Sequence, residues 1–420
     1  MFDCFVLEDG DVELLHPVTM GRAACSIQCG SWTLLDLLDQ ILPTRATRTA
    51  QVRPYLQRLL DEDRPAWASR APAGDRPLIV LNAALVPSRS LIDLLASWFA
   101  LETPLRPQRV DADGRIAAAI LSPDQAARWC DSHDAIDRWA WIRQLELPPA
   151  SHSLDLFRYP HDIVRANTRV LGELLEWRLQ RESFDEVRDG LFVADGVTLP
   201  DELAVDASDG PVVIDREVRI GPYTLLTGPL YVGPHSKVLE HAAIKEHVSV
   251  GHTVKIGGEV EASVIEPYTN KQHHGFLGHA YLGSWINLGA GTCNSDLKNT
   301  YGEVKMEYGS TRVPTGMQFV GCIMGDYAKS AINTGIFTGK VIGVCSMVYG
   351  FVTTNVPSFV NYARLFGQVT ELPPEVMIAT QERMFARRGV TPRPVDVQLI
   401  HDMYERTRHE RVLAGEPLTL

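Results

Sequence analysis

The amino-acid sequence predicts an α/β domain over residues 1–158, followed by a three-sided parallel β-helix over residues 205–355 and a helical extension. Two patterns predict this order. Strand-like apolar runs alternate with helical patterns in the first part of the chain, whereas aliphatic residues recur at every sixth position in the second part. A chain of 420 residues is long enough for two or three domains, each with a core of its own.

The first 158 residues carry the alternation that is typical of an α/β domain. Residues 78–81 are uniformly apolar, as expected of a strand in a parallel sheet that is buried on both faces. Apolar residues at helical spacing follow at 91–101 and again at 124–136. Strands that alternate with helices predict an α/β domain.

A connecting helix is predicted next, within a helical linker over residues 159–204. Pro160 stands near its start, where a proline is well tolerated. Over residues 160–182 the apolar positions recur at helical spacing: Ile163, Val170, Leu171, Leu174 and Leu175.

The β-helix is predicted from a period of six residues. This period fits neither a helix nor a hairpin, but it fits a coil of three short strands, about 18 residues per turn, in which each strand points one aliphatic side chain inward. Glycine often follows the aliphatic residue, where we expect it to permit a tight corner. The aliphatic positions are Ile214, Ile220, Leu226, Val232, Val238, Ile244, Val250 and Ile256.

The period breaks near Glu261 and resumes at Phe276. The segment between them, SVIEPYTNKQHHG, is predicted to be a loop or an irregular edge of a coil. A weaker form of the pattern continues to Val348, which gives the bounds 205–355. Beyond them, the extension 356–420 carries amphipathic helical patterns at 373–388 and 394–408, which we expect to pack on the last coils.

The charge distribution argues against some classes of partner. A net charge of −12 is opposite to the basic face that a nucleic-acid-binding protein needs. No run approaches the roughly 18 apolar residues of a membrane helix. Every lysine lies between Lys237 and Lys340, so this window either supplies cations for a phosphorylated substrate or carries lysines on solvated faces.

The cysteines predict a reducing compartment. There are seven, an odd number, and only Cys25 and Cys29 lie close together, without a second pair or a nearby histidine to complete a metal site. The N-terminus is acidic and lacks the pattern of a signal peptide. We therefore expect reduced thiols in a cytoplasmic protein.

Three histidines, His273, His274 and His279, lie within seven residues where the repeat breaks. Transfer of an acyl group to an amine needs a base that accepts a proton near neutral pH. Histidine fits this demand because its ordinary pKa is about 6.5. The break is therefore the predicted position of the chemistry.

Two motifs at the break carry a resemblance to a known family. They are HHGFLG at 273–278 and NLGAGT at 287–292, followed by Asn294. In these residues the chain resembles the bifunctional UDP-N-acetylglucosamine pyrophosphorylase/glucosamine-1-phosphate N-acetyltransferase family, in a divergent bacterial branch of sugar nucleotidyltransferases. The resemblance implies a left-handed hexapeptide-repeat β-helix, acetyl-CoA as co-substrate and a homotrimer.

The resemblance also implies roles for individual residues. His273 falls on the family's catalytic base, and Phe276 replaces a tyrosine that contacts the substrate. Glu261 stands where the family has a lysine, for which Lys271 is the candidate replacement. The remaining implied contacts are Asn287 with the amino sugar, Lys245 with a phosphate, and Ala290, Asn294 and Cys322 with acetyl-CoA, Cys322 in place of a serine.

The N-terminal domain is similar to sugar nucleotidyltransferases in the tract LLHPVT at 14–19, followed by Arg22. The similarity implies a Rossmann-like, nucleotidyltransferase-like fold, nucleotide binding by Arg22 and Asn82, and Mg²⁺-dependent uridylyl transfer from UTP. The expected Gly-rich loop is missing at LEDGD, residues 7–11, and Asn82 stands where a Mg²⁺-binding aspartate is expected. Asp9 and Asp11 either bind a metal or belong to a solvated turn.

The sequence therefore predicts an enzyme that acetylates glucosamine 1-phosphate or a similar amino-sugar phosphate, coupled in the family to uridylyl transfer. The alternative is a non-catalytic trimer that binds a sugar nucleotide or acts as a scaffold through a degenerate N-terminal domain. A β-helical carbonic anhydrase would need three histidine ligands. His241, His247 and His252 lie in the repeat, but their spacing fits that arrangement poorly.

Overall fold

The computed structural model describes residues 2–70, 72, 74–99, 105–130, 135–150, 152–364 and 367–413. The chain forms two compact units. The N-terminal unit consists of Met1–Leu15, Arg22–Ile27 and Trp32–Arg158. The C-terminal unit consists of His16–Gly21, Gln28–Ser31 and Tyr159–Leu420.

A five-stranded sheet forms the centre of the N-terminal unit. Its strand order is β2-β1-β3-β5-β4, with β1 parallel to β2 and β3, and β5 antiparallel to β3 and β4. The predicted strand at 78–81 is β3, and all of its residues are buried because the sheet is covered on both faces. The strands are β1 Asp3–Leu7, β2 Thr47–Gln51, β3 Leu78–Asn82, β4 Gln108–Ala112 and β5 Arg115–Leu121.

Five helices accompany this sheet. The helix predicted at 91–101 is found at Arg89–Phe99, and residues 100–104 lie outside the described part. The pattern at 124–136 corresponds to two helices, which stand on either side of the undescribed residues 131–134. The helices are α1 Leu34–Ile41, α2 Pro54–Asp63, α3 Arg89–Phe99, α4 Pro123–Cys130 and α5 Ala135–Gln144.

The C-terminal unit begins with helix α6, Pro160–Leu179, followed by a parallel β-helix. The first strands are β6 Asp185–Arg188, β7 Leu191–Val193, β8 Leu203–Asp206, β9 Val212–Ile214, β10 Arg219–Ile220, β11 Thr224–Thr227, β12 Leu230–Val232, β13 Lys237–Val238, β14 Ala243–Ile244, β15 Val248–Val250, β16 Lys255–Ile256, β17 Glu259–Glu261, β18 Val264–Ile265, β19 Asn270–Lys271 and β20 Phe276–Gly278. The later strands are β21 Tyr281–Leu282, β22 Asn287–Leu288, β23 Cys293–Asn294, β24 Lys305–Tyr308, β25 Thr311–Pro314, β26 Ile323–Met324, β27 Lys329–Ser330, β28 Gly335–Ile336, β29 Val341–Ile342, β30 Met347–Val348, β31 Phe351–Val352, β32 Val360–Ala363 and β33 Gln368–Glu371.

The coil has three faces, each formed by strands of successive turns. Face A contains β9, β12, β15, β18, β21, β26 and β29; face B contains β10, β13, β16, β19, β22, β27 and β30; face C contains β8, β11, β14, β17 and β20 and continues with β23, β28 and β31. On face B Lys237 pairs with Lys255, eighteen positions later, as the period predicts. The predicted aliphatic positions, such as Val232 and Val250, are fully buried inside the coil.

The break in the repeat is a shortened coil, so of the two predicted alternatives it is the irregular coil and not the loop. Ile256 pairs with Lys271 on face B, only fifteen positions later, and Val250 pairs with Ile265 on face A at the same spacing. The segment between Glu261 and Phe276 therefore keeps regular strands while losing the six-residue period. As a result Lys271 occupies an inward position where the two neighbouring coils place Ile256 and Leu288.

The β-helix strands extend beyond the predicted bounds 205–355. Strand β7 joins β9 on face A, and β32 joins β30 on face B. The predicted helical linker 159–204 therefore contains α6 and the first strands of the coil. The division of the chain at 158, 204 and 355 stays a prediction.

The glycines that follow the inward residues are explained by close packing of coils. A Cβ on Gly221 would lie 2.4 Å from the backbone nitrogen of Glu240 in the next coil. Left-handed backbone occurs instead at larger corner residues such as Tyr223 (φ 58°) and His241 (φ 58°). Glycine is therefore required at Gly221 because the next coil is near.

An insertion at 295–322 interrupts the coils between β23 and β26 and contains the hairpin of β24 and β25. Tyr308 anchors this hairpin to α6, since its hydroxyl lies 2.8 Å from Nδ1 of His161 and the two rings stack.

The terminal helices are α7 Pro374–Arg388, α8 Pro394–Arg406 and α9 Arg408–Leu413. Helix α7 lies beside the middle coils, because Phe385 packs on Trp285, with ring centroids 4.5 Å apart. Tyr404 of α8 packs on Phe359 of the last coils, as predicted for this extension. None of the described helices is long and apolar enough to span a membrane. All seven cysteines are free thiols.

Candidate active site

The edge between faces B and C brings three of the predicted site residues together. His273 and His274 lie in the corner between β19 and β20, and both are exposed. Asn287 lies on β22, one coil later, and Ala290 follows in the corner above, where the amide of Gly291 donates to the carbonyl of His274 at 3.1 Å. Nε2 of His273 lies 3.1 Å from the side-chain amide nitrogen, Nε2, of Gln272.

Face C holds Lys245 beside two carboxylates. Nζ of Lys245 lies 2.6 Å from Oε1 of Glu259 and 3.4 Å from Oε2 of Glu261. The hydrogen bond to Glu259 raises the pKa of Lys245, so the ammonium stays charged and paired. The predicted phosphate contact of Lys245 therefore competes with two negative charges on the same face. Phe276 is half-buried on the neighbouring strand.

Lys271 is not at the surface, contrary to the prediction that it replaces the family's lysine. Its side chain lies inside the shortened coil and is 2% exposed. Its ammonium donates to the carbonyl oxygens of Gly257 (2.9 Å), His273 (2.8 Å) and Gly275 (2.8 Å). Burial lowers the pKa of Lys271 to about 8. The side chain ties the backbone of the corner that carries His273 to the coil below.

Two of the predicted acetyl-CoA contacts are also buried. The side-chain amide of Asn294 forms two hydrogen bonds with the backbone of Gly278, each 2.9 Å long. The Cys322 side chain lies in the aliphatic core of the coil, and burial raises the pKa of its thiol to about 12. Their predicted contacts with a ligand are therefore not supported by their positions, whereas Ala290 stands at the open edge.

A histidine–aspartate pair at the edge between faces C and A was missed in the sequence. Nδ1 of His279 lies 2.8 Å from Oδ2 of Asp296, and its ring stacks on Phe319. The neighbouring His247 has a lowered pKa, chiefly because of burial, and its Nδ1 atom is buried without a hydrogen-bond partner in the part of the chain that is described. His279 and Asp296 are 17 positions apart, close to the length of one coil, so the period of the repeat is the signal that could have placed them side by side.

The N-terminal unit places an arginine where the family would place a metal. Arg115 binds both carboxylate oxygens of Asp9, at 2.8 and 2.9 Å. Asn82 donates to the same carboxylate at 2.8 Å, and the amide of Asp11 donates to it at 3.1 Å. These donors occupy the lone pairs of Asp9 that a cation would need. The residues do not fit Mg²⁺, and Asp9 is an ion-pair partner and not part of a solvated turn.

The two predicted nucleotide contacts of this unit differ in their surroundings. Asn82 is fully buried, and its carbonyl oxygen also accepts a hydrogen bond from the amide of Ala84 at 2.9 Å. Arg22 is half-buried, and its carbonyl oxygen accepts a hydrogen bond from Arg53 at 3.1 Å. Asn82 therefore has no free amide group to offer a nucleotide.

A carbonic-anhydrase metal site is not formed. His241, His247 and His252 occupy three different corners of the coil, which follow faces B, C and A in turn. Over the described ranges, no three histidine, cysteine or carboxylate side chains are grouped as metal ligands would be.

Comparison with known proteins agrees with these two architectures. Residues 4–178 match the family model for sugar nucleotidyl transferases. The predicted order of domains is confirmed: a nucleotidyltransferase-like α/β domain precedes a parallel β-helix with terminal helices.

Two curated relatives match over a limited part of the chain. The bifunctional sugar-1-phosphate nucleotidylyltransferase/acetyltransferase of Sulfurisphaera tokodaii is 30% identical over 91 residues, which are 22% of this chain and 23% of that protein. The bifunctional protein GlmU of Methanocaldococcus jannaschii is 28% identical over 117 residues, 28% of this chain and 26% of that protein. The matches therefore span about a quarter of the length of these relatives.

Among solved structures, the UDP-N-acetylglucosamine acyltransferase of Francisella novicida is 17% identical, with a TM-score of 0.22. The match covers 54% of this chain and 82% of that chain.

Proposed function

We propose that the β-helix acetylates the amine of glucosamine 1-phosphate or of a similar amino-sugar phosphate, because residues 4–178 match the sugar nucleotidyl transferase family and the two curated relatives are bifunctional proteins of this kind. Acetyl-CoA is the proposed donor. The observation that carries this proposal is the edge between faces B and C, which gathers His273, Asn287 and Ala290 on two successive coils. The coil is stiff, so it can hold these groups in a fixed geometry.

In the proposed reaction His273 takes a proton from the sugar ammonium. The free amine attacks the thioester carbonyl, the C–N bond forms and the C–S bond breaks. The nitrogen loses a second proton as the amide forms, and the leaving coenzyme A thiolate takes up that proton. The exposed ring of His273 is accessible to a substrate, and an imidazole is the side chain best suited to accept a proton near neutral pH. Asn287 would hold the sugar beside it.

A homotrimer is part of the proposal. An exposed edge gives a small substrate few walls, and a neighbouring copy packed along the coil would complete the cleft. Sedimentation at several protein concentrations tests this assembly.

The experiment that tests the reaction measures acetylated product by mass spectrometry with acetyl-CoA and glucosamine 1-phosphate. We expect His273→Ala to lower kcat by a factor of about 10² or more, the contribution of a general base. His274→Ala is the matched control, because it removes a neighbouring exposed imidazole and we expect it to retain activity. Equal activity in the wild type and His273→Ala would refute the assignment of the base.

For the N-terminal unit a second candidate function has specific support. The Asp9–Arg115 pair favours a unit that binds a sugar nucleotide without transferring a uridylyl group, in agreement with the non-catalytic alternative. We expect no pyrophosphate release from UTP and N-acetylglucosamine 1-phosphate in the presence of Mg²⁺. Pyrophosphate formed in proportion to the enzyme would restore uridylyl transfer as the function of this unit.

A further inference from the structure

The two lysines that were expected to contact the substrate phosphate are both occupied. Lys245 is paired with Glu259 and Glu261, and Lys271 is inside the coil with three carbonyl partners. Face C carries two carboxylates against one ammonium at this point. A phosphorylated substrate at the proposed site therefore needs its cations from elsewhere.

Face B provides a continuous row of cations and amides. Arg219 pairs in register with Lys237, and Lys237 pairs with Lys255. The next two rungs are Asn270 and Asn287. These side chains point outward, since each one precedes an inward residue in its strand. Neighbouring rungs are about 4.8 Å apart, the spacing of hydrogen-bonded strands.

The three cations of this row are not neutralised. Arg219 and Lys237 are exposed and Lys255 is half-buried, and within the described ranges none of them forms an ion pair. Stacked like charges repel each other at this spacing. Such a row is stabilised by an anion that binds across it.

Helix α7 adds further positive charge beside the row. Burial and the nearby charges of Arg388, Arg387 and Lys237 lower the pKa of Lys255. Arg388 also donates to Oδ1 of Asn270 at 2.6 Å. The amide of Asn270 in turn lies 3.5 Å from Oδ1 of Asn287. A polar chain thus runs from α7 to the proposed sugar-binding residue.

We propose that Lys237 and Lys255 of this row, together with Arg387 of α7, form the phosphate-binding subsite for the ligand whose sugar lies at Asn287. Lys255 is two rungs from Asn287, about 10 Å, which a sugar ring and its phosphate can bridge. The inference deepens the proposed function and rests on it for the position of the sugar. The ligand class is a sugar bearing a phosphate ester, either a sugar phosphate or a nucleotide sugar.

The test measures binding by calorimetry without acetyl-CoA, so that it does not depend on turnover. The probes are glucosamine 1-phosphate, UDP-N-acetylglucosamine and glucosamine. Inorganic pyrophosphate is used as a further probe if none of the sugar probes binds. We expect Lys237→Gln with Lys255→Gln to weaken binding of the phosphorylated probes about tenfold, the loss of roughly 1.4 kcal/mol of charge-assisted contact. Lys305→Gln is the matched control, because Lys305 is an exposed lysine on the hairpin.

The outcomes separate the inference from the proposed reaction. A charge-dependent loss of phosphate binding in a protein that does not acetylate supports the subsite and refutes the reaction. A loss for glucosamine 1-phosphate alone identifies a sugar phosphate, and a loss for the UDP sugar alone identifies a nucleotide sugar. Unchanged binding in the double variant, no binding of any phosphorylated probe to the wild type, or a tenfold loss on Lys245→Gln instead overturns the inference.

Discussion

Nδ1 of His279 lies 2.8 Å from Oδ2 of Asp296, and this pair joins a corner of the coil to the start of the insertion 295–322. The end of the insertion returns to the same residues. The amide of Val320 donates to the carbonyl of Asp296 at 2.9 Å, and the amide of Gly321 donates to the carbonyl of His279 at 2.8 Å. The imidazole–carboxylate contact and the two backbone hydrogen bonds therefore hold both ends of the insertion at the same two residues.

We predict that His279→Ala loosens this closure. The lost hydrogen bond and ring contact lower the free energy of unfolding by about 1–2 kcal/mol. Hydrogen exchange at the amides of Val320 and Gly321 becomes faster. His235→Ala is the control, since His235 forms a similar 3.0 Å contact with Glu217 but both side chains are exposed. Equal exchange in the two variants would contradict a closing role for His279.

A second prediction concerns the buried ammonium of Lys271. Its pKa of about 8 lies below the ordinary value near 10.4, so between these pH values the unfolded state binds more protons. The free energy of unfolding of the wild type therefore rises, relative to Lys271→Met, by about 2 kcal/mol from about pH 7 to about pH 9.5. Urea unfolding at several pH values measures this difference.

The comparison with Lys271→Met removes the contribution of other groups. Lys329 also has a pKa lowered to about 8 by burial, but it is present in both proteins and cancels in the difference. Parallel stability curves for the two proteins would mean that Lys271 titrates in the same way in the folded and unfolded states.

A third prediction concerns the Asp9–Arg115 pair in the N-terminal unit. Arg115→Met leaves the half-buried carboxylate without its cation and lowers the free energy of unfolding by about 3 kcal/mol. Asp9→Asn combined with Arg115→Met costs less than Arg115→Met alone, because no unpaired charge remains. Denaturant unfolding of the two single variants and the double variant measures the coupling. Additive losses would show that the pair does not interact.

A fourth prediction tests the spacing of the coils. A Cβ on Gly289 would lie 2.5 Å from the carbonyl carbon of Ala331 in the next coil, so Gly289→Ala lowers the free energy of unfolding by about 2 kcal/mol. The control is Gly302→Ala. The nearest atom to its added Cβ, Nζ of Lys298, is 3.8 Å away, so we expect the free energy of unfolding to change by no more than about 0.5 kcal/mol. Thermal unfolding of both variants measures these changes. Equal losses of unfolding free energy in the two variants would rule out a close approach of coils at Gly289.

The parts of the fold that depend on local periodicity could be predicted from the sequence. The period of six identified buried residues such as Val232 and Val250, because every coil of eighteen residues repeats the same three inward positions. Strand β3 was recognisable because a strand covered on both faces is apolar throughout. The roles of His273 and Asn287 were implied by the resemblance of the two motifs to the family pattern, and they stay predictions.

Features that depend on contacts across coils could not be predicted. The shortening of a coil by three residues moves Lys271 inward, and no local pattern signals it. The pairing of Lys245 with Glu259 depends on which residues face each other on neighbouring strands. Arg115 meets Asp9 across 106 positions of sequence. In each case the partner is fixed by tertiary structure alone.

The interior position of Lys271 has a consequence for how the β-helix responds to force along its axis. Each coil contacts only the coils directly above and below it, so cohesion passes along the axis one layer at a time. The ammonium interrupts the aliphatic column between Ile256 and Leu288. If the β-helix were pulled from its two ends, we expect it to separate first at the coil that contains Lys271, so that it would respond to force as two shorter β-helical segments.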